Sequence, residues 1–312
     1  MVRLSTSDLD VAPLALGGNT FGWTSDVSES FAVLDAFVGA GGSLVDTADV
    51  YSAWAPGNRG GESEDIIGRW FERHGHRDDV VIATKVAKHP ERRGLSPQNI
   101  AACADASLTL LRTDRIDLYY AHEEDPATPI EASVAAFAEL QAAGKIRHVG
   151  LSNFSGESIR AWIAAADAQG VARPIALQPH YNLVHRVEFE ASDRAVASEF
   201  DLAVIPYFAL AAGFLTGKYA RGEEPSGARA GMASEYASDQ AFSVVDLVRA
   251  IAAAHDVQPA SVALAWLAAQ ETVAAPIASA RTIGQLPALL ASIDLELAPE
   301  EIDALTKASV GL

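Results

Sequence analysis

Four polar residues stand in or just after otherwise apolar runs of this 312-residue chain. Asp46 ends SLVD, Tyr51 follows it within DTADVYS, Lys85 lies near the end of VVIATK, and His122 ends IDLYYAH. A phenol ordinarily titrates at about pH 10. A neighbouring ammonium stabilises the phenolate and lowers that value, which turns a tyrosine into a usable proton donor near neutrality. Asp46 would keep Lys85 charged and placed. A neutral His122 could hydrogen-bond a carbonyl oxygen and orient it. The plain alternative is a satisfied Asp46–Lys85 ion pair beside a structural histidine, because structural networks also perturb titration.

The elements around these residues alternate. Strand-like runs are expected at 11–18, 43–48, 79–86, 116–122, 146–153, 175–180, 202–208 and 273–279. Helical patterns follow at 28–42, 62–75, 96–111, 128–144, 155–170 and 192–200, with the last regular helix at 282–292. Ser96 followed by Pro97, and Thr128 followed by Pro129, read as a cap and a first helical residue. Near-continuously apolar strands, each followed by a helix, imply a parallel sheet covered by helices. Eight such units in one chain without a linker predict a closed (β/α)8 barrel spanning 1–312 as a single domain. An open doubly wound sheet would announce G-x-G-x-x-G after its first strand, and GGNTFG does not fit. Asp46, Lys85 and His122 then point to one mouth of the barrel. The two long irregular segments, 48–62 and 209–236, also fall at the C-terminal ends of strands, where barrel enzymes keep their chemistry.

Composition removes several classes. Asp plus Glu number 41 against 23 Lys plus Arg, a formal charge of −18. Such a field repels phosphate backbones and argues against nucleic-acid binding. Cys103 is the single cysteine, so neither an internal disulfide nor a cysteine-based metal cluster is expected, and a reducing cytoplasm suits the chain. His122, Glu124 and Asp125 lack a paired-histidine motif, and no metal site is expected. No apolar run is long enough to span a bilayer, and MVRLSTSDLD lacks the apolar core of a signal peptide.

The chain resembles the aldo-keto reductase family over nearly its whole length. DTADVYS, ATK, DLYYAH, VGLSNF, LQPHYNL, GFLTGKY and ARTIGQL carry the resemblance. LGGNTFGW and GGESEDIIGRW look like a bacterial branch nearer the potassium-channel β-subunits than the mammalian aldose reductases. The resemblance implies a (β/α)8 barrel that reduces carbonyls with NAD(P)H. Tyr51 would be the general acid, Asp46 and Lys85 the pair tuning it, and His122 the orienting residue. It implies Ser152, Asn153 and Gln178 on the nicotinamide carboxamide, and Tyr207 stacked on the ring. Leu210, Gly213 and Lys218 would clamp the pyrophosphate. Ser279, Arg281 and Gln285 would meet the adenosine 2′-phosphate beside a helix start at Thr282, which favours NADP(H) over NAD(H).

Some positions depart from the family pattern. Phe208–Ala209 replace a Ser-Pro pair. Ala288 and Leu289 stand where Glu-Asn would hold adenine and ribose, which weakens that contact. Glu123–Glu124–Asp125 follow His122 in place of an aromatic, as a solvated acidic loop or, through Glu123, a site for a polar or cationic substrate. Asn19, Phe21, Trp23, Trp54 and Glu123 are the candidate substrate-lining residues, and three aromatics suggest an apolar slot or a sugar-stacking platform. A small-molecule carbonyl or alcohol is the expected partner, with oligomeric state open. Two other functions compete with reduction. One is a nicotinamide-sensing regulatory module. The other is a barrel lyase using Lys85 as a Schiff-base nucleophile.

Overall fold

The structure is a computed structural model and describes residues 1–223 and 227–312. Eight parallel strands form one sheet: Ala15–Gly17 (β1), Leu44–Asp46 (β2), Val81–Val86 (β3), Ile116–Ala121 (β4), Ile146–Ser152 (β5), Ala176–Gln178 (β6), Ala203–Val204 (β7) and Ile277–Ala278 (β8). Neighbours in sequence are neighbours in space, and β8 returns to pair with β1. Backbone bonds close the remaining gap between β7 and β8. Ala274 N donates to Val204 O at 2.8 Å and Ile277 N to Pro206 O at 2.9 Å. The expected (β/α)8 architecture is therefore the observed one.

Period-two alternation divides the sheet residues. Ala15, Leu44, Ala83, Leu118, Tyr120, Ala176, Ala203 and Ile277 fill the barrel interior, and Leu4, Leu9 and Val11 pack against them. The last three come from an antiparallel hairpin, Val2–Arg3 with Asp10–Val11, that lies outside the alternating pattern. The opposite strand faces carry Leu16, Val45, Ile82, Tyr119, Val149 and Val204, which pack with the helices.

The helices Val27–Gly39, Glu62–His74, Pro97–Leu111, Ile130–Ala142, Gly156–Gln169, Arg194–Glu199 and Leu286–Asp294 follow the expected places. Ser96 caps as expected, accepting from Asn99 N at 3.3 Å. Thr128 does not cap. Its hydroxyl donates to Asp125 Oδ2 at 2.7 Å, and Pro129 takes the cap position without a side-chain bond. Further helices are the short Ala230–Ser234, then Asp239–Ala254, Pro259–Ala268 and Pro299–Ala308. The last of these overturns 282–292 as the final helix. Pro259–Ala268 is buried on nearly every side, so it carries no polar stripe to mark its period.

Candidate active site

Strand register builds the centre. Asp46 pairs with Ala83, and Lys85 pairs with Tyr120, which sets Lys85 on the inward face two residues beyond Ala83. Lys85 Nζ lies 2.7 Å from each Asp46 carboxylate oxygen, 2.8 Å from Thr47 O and 3.0 Å from Tyr51 Oη. Tyr51 Oη donates to Asp46 Oδ2 at 3.0 Å, and Gln178 Nε2 donates to Asp46 Oδ1 at 2.9 Å. The Tyr51 and His122 rings stand 6.5 Å apart at 71°. Lys85 and Asp46 are fully buried, whereas Tyr51 is half-buried. All four expected residues therefore meet in one place.

Their titration departs from expectation at one point. The Tyr51 hydroxyl is held well above its ordinary value, first by burial and then by the Asp46 carboxylate. A phenol lowered by Lys85 was the expectation, and it does not hold here. The cause is geometric: Asp46 accepts from both Lys85 and Tyr51, so the ammonium is spent on a carboxylate that also repels a phenolate. Tyr51 thus keeps its proton throughout the neutral range. Burial pushes Lys85 down, while Asp46 works against that shift. Burial and the Lys85 charge hold His122 far below the usual imidazole range, so it is neutral. Among the described residues its buried Nδ1 has no hydrogen-bond partner.

The residues at the ends of β5, β6 and β7 adjoin this centre. Ser152 Oγ donates to Gln178 O at 3.0 Å, and Asn153 Nδ2 to His122 O at 2.8 Å. Tyr207 Oη donates to Asn153 Oδ1 at 2.8 Å. Neither Ser152 nor Asn153 caps the following helix, because Ser155 does so, accepting from Ser158 N. Asn153 adopts a left-handed conformation, φ +55°.

After β7 the backbone is unusual. Ala211, Ala212 and Gly213 are consecutively left-handed, at φ +49°, +53° and +93°. Such strain costs on the order of 1–3 kcal/mol per non-glycine residue and gathers at functional sites. Within this run Ala211 N donates to Phe208 O at 2.7 Å and Gly213 N to Leu210 O at 2.8 Å. Lys218 is exposed, and its Nζ would lie 3.0 Å from a Cβ added to Gly213. Of the segment 209–236, residues 224–226 lie outside the described residues.

Ser279, Arg281 and Gln285 lie beyond β8. Ser279 Oγ donates to Asn19 Oδ1 at 2.6 Å, and Arg281 N to Gln285 Oε1 at 2.9 Å. The expected helix start at Thr282 is a short 3-10 turn, Ile283–Gln285, with the α-helix beginning at Leu286. Arg229 is a cation that periodicity could not flag. Its guanidinium donates to Asn19 Oδ1 at 3.2 Å and lies 5.7 Å from the Trp23 ring centroid. Arg281 and Tyr51 both act on its charge. Lys218, Arg229 and Arg281 form no ion pair among the described residues, in a chain of net charge −18. Arg281 lies close enough to act on Arg229, so two like charges are set near each other beyond β8 and β1. Arg229 and Arg281, with the hydroxyl of Ser279, are groups that could hold a phosphate-bearing dinucleotide.

The substrate-side expectations divide. Trp23 and Trp54 meet edge to face at 5.7 Å, and Trp54 stands 6.1 Å from the Tyr51 ring. Trp54 is 48% exposed. Phe21 does not line the mouth. It is wholly buried in the helix–sheet core, because its loop folds inward under Ser52, whose hydroxyl donates to Phe21 O at 2.7 Å. Asn19 is engaged by Ser279 and Arg229. Glu123 faces Lys88 at 3.5 Å and is not a free carboxylate.

Comparisons with known proteins agree with this arrangement. A model of the family described as "Aldo/keto reductase family" matches residues 13–310. Protein tas of Escherichia coli (strain K12) is 32% identical over 97% of this chain and 96% of its own length. A probable voltage-gated potassium channel subunit beta of Oryza sativa subsp. japonica is 32% identical over 96% of this chain and 94% of its own. Aldo-keto reductase str7 of Strobilurus tenacellus is 31% identical over 92% of this chain and 83% of its own.

Proposed function

The chain belongs to the aldo/keto reductase family, and from that premise we propose that it reduces an aldehyde or ketone to an alcohol with NADPH, residues 1–312 acting as one domain. The observation that carries the proposal is the Tyr51 hydroxyl, 3.0 Å from both Lys85 Nζ and Asp46 Oδ2. This hydroxyl keeps its proton yet has an ammonium ready for the charge left when the proton departs.

When bound, the nicotinamide cofactor supplies the hydride that a carbonyl carbon takes up. The protein's own groups manage the oxygen. Neutral His122 hydrogen-bonds the carbonyl oxygen and orients it. Tyr51 Oη gives that oxygen its proton. Lys85 Nζ stabilises the phenolate left behind, and Asp46 with Thr47 O holds Lys85 in place. Trp23 and Trp54 offer an apolar wall that excludes water from the reacting carbonyl.

Ser152, Asn153 and Gln178 would hold the carboxamide, with Tyr207 against the ring. Leu210, Gly213, Lys218 and Arg229 would hold the diphosphate. Ser279, Arg281 and Gln285 would hold the 2′-phosphate, and Arg281, in no ion pair among the described residues, favours NADP(H). A Schiff base at Lys85 has less support. Its ammonium is buried and its hydrogens are directed at Asp46, Thr47 O and Tyr51. Borohydride with a carbonyl substrate should trap no adduct. A screen of NADPH consumption over aldehydes, ketones, dicarbonyls and keto-sugars tests the reading. Tight NADPH binding with no oxidation by any of them would favour a redox-sensing role, the regulatory alternative.

A further inference from the structure

Five buried side-chain atoms without hydrogen-bond partners among the described residues collect at one place behind the mouth: both Asp49 carboxylate oxygens, Glu64 Oε2, Ser107 Oγ and Tyr119 Oη. They come from four elements. Asp49 follows β2, Glu64 is in the helix Glu62–His74, Ser107 is in Pro97–Leu111, and Tyr119 is on the outward face of β4. Glu64, Ser107 and Tyr119 are fully buried, and Asp49 is 3% exposed. Asp49 and Glu64 act on each other's charge, and both act on the Tyr119 hydroxyl and on Cys103. Thr84 Oγ1 donates to Glu64 Oε1 at 2.6 Å, while the Ser107 hydroxyl stands near Glu64 and the Val50 amide near Asp49, each lowering its carboxyl. Arg92 reaches toward the group from the hairpin Lys88–His89 with Arg92–Arg93, yet forms no ion pair among the described residues.

Buried polar atoms in this number are ordinarily satisfied by internal water, each molecule making about three bonds. Two carboxyls sharing such a site cannot both ionise cheaply, so the pair retains a proton. Burial and Glu64 push Asp49 up to about 8, and burial raises Glu64 as well. The group borders the reacting centre at the lip of the barrel. Lys85 Nζ donates to Thr47 O, and two residues later Asp49 N donates to Lys85 O at 3.3 Å. The charges of Asp49 and Glu64 both act on Lys85.

We propose that Asp49 and Glu64, with internal water held by Ser107 and Tyr119, form a buried proton store that refills Lys85 and Tyr51 from behind. The proposal rests on the reductase reading. Each reduction removes one proton from Tyr51, while substrate and cofactor cover the mouth. The Tyr51 phenolate takes a proton from Lys85 Nζ. The Lys85 amine takes one from the Asp49 carboxyl across water, leaving Asp49 as carboxylate. A proton from bulk solvent, entering beside Arg92 and His89, restores it. No electron pair changes owner except those of the O–H and N–H bonds. Asp49 and Glu64 act through Lys85 and touch no substrate.

Asp49→Asn cannot pass a proton, and it separates this role from a structural one. The first turnover, read by rapid mixing, uses the proton already on Tyr51 and should match wild type. Steady-state turnover should fall at least about tenfold. In wild type the steady-state rate should fall as pH rises through about 8, as Asp49 loses its proton, and the first turnover should not. The cofactor-free protein supplies a second readout. A carboxyl raised by folding stabilises the folded state fully at low pH and loses that contribution as pH rises toward its folded value. Wild-type melting temperature should therefore decline between about pH 4 and 8, and Asp49→Asn should flatten that decline. If Asp49→Asn does not fold, Tyr119→Phe removes one water-holding hydroxyl and should slow steady-state turnover alone. Equal slowing of first and later turnovers, or no slowing of either, overturns the store. Absence of any wild-type turnover would instead remove the reductase reading, and the melting profile would still test the buried proton.

Discussion

Asp46 at the mouth and Asp117 at the base are both buried carboxylates on barrel strands, yet they are satisfied in opposite ways. Asp117 takes Arg147 Nη1 at 2.8 Å, Arg77 Nη2 at 2.8 Å and the Ile82 amide at 2.9 Å, with Arg115 at 3.8 Å. Three guanidiniums and an amide enclose it. Asp46 has one ammonium, one phenol and one carboxamide, and the phenol remains half open to the mouth. A carboxylate that serves structure consumes its partners. One that serves chemistry, as proposed for Asp46, would leave a partner with a proton to give.

The comparison can be broken by substitution. Tyr51→Phe should lower turnover at least about a hundredfold, because general acid catalysis contributes roughly 10²–10⁴-fold, while NADPH binding and melting temperature hold. Turnover above a tenth of wild type would remove Tyr51 as the acid. Asp117→Asn should do the reverse. It leaves a cluster of guanidiniums without its carboxylate, so stability should fall by about 2–3 kcal/mol in urea unfolding, with the turnover of folded protein unchanged. A loss of turnover without a loss of stability would erase the distinction between the two ends.

Arg281→Ala should shrink the NADPH-over-NADH preference about tenfold, since a charge-assisted bond contributes roughly 1.5–3 kcal/mol. Fluorescence titration with both cofactors decides this, and an unchanged ratio of dissociation constants excludes Arg281 from the phosphate. The smallest effect is expected at Glu123→Gln. Its bridge to Lys88 is half-exposed, and such pairs contribute about 0–1 kcal/mol. KM for neutral carbonyls should change less than about threefold. A larger change confined to cationic substrates would restore Glu123 as a recognition group.

Asp46, Lys85 and His122 were legible because each ends or nearly ends an apolar run, and a parallel barrel sends all such ends to one mouth. The order of the eight strands followed from the same alternation. Exposure was less legible. Phe21 lies in a loop, and only the fold shows that this loop packs inward. The upward shift of Tyr51 depends on its burial and on Asp46 accepting from it and from Lys85 together, which no spacing encodes. Arg229 sits in a segment without periodicity, and only the fold shows its guanidinium against Asn19 and Trp23. Ala211 and Ala212 adopt backbone that a sequence would assign to glycine. Asp49 and Glu64 read as ordinary loop and first-turn acids until their burial is known.

The short strands beside Lys218 and Arg281 have a dynamic consequence. β7 and β8 span two residues each, and a few amide bonds join them, against six and seven residues in β4 and β5. Local opening draws on the least hydrogen-bonded part of a fold. The barrel should therefore breathe along this seam, and the amides of Ala274 and Ile277 should exchange with solvent sooner than those of β4. Lys218 follows β7, whereas Arg281 follows β8 and Arg229 reaches across to Asn19 after β1. A dianionic ligand bridging Lys218 and Arg281 would clasp the seam shut, and slowed exchange at those two amides would report its arrival without any turnover.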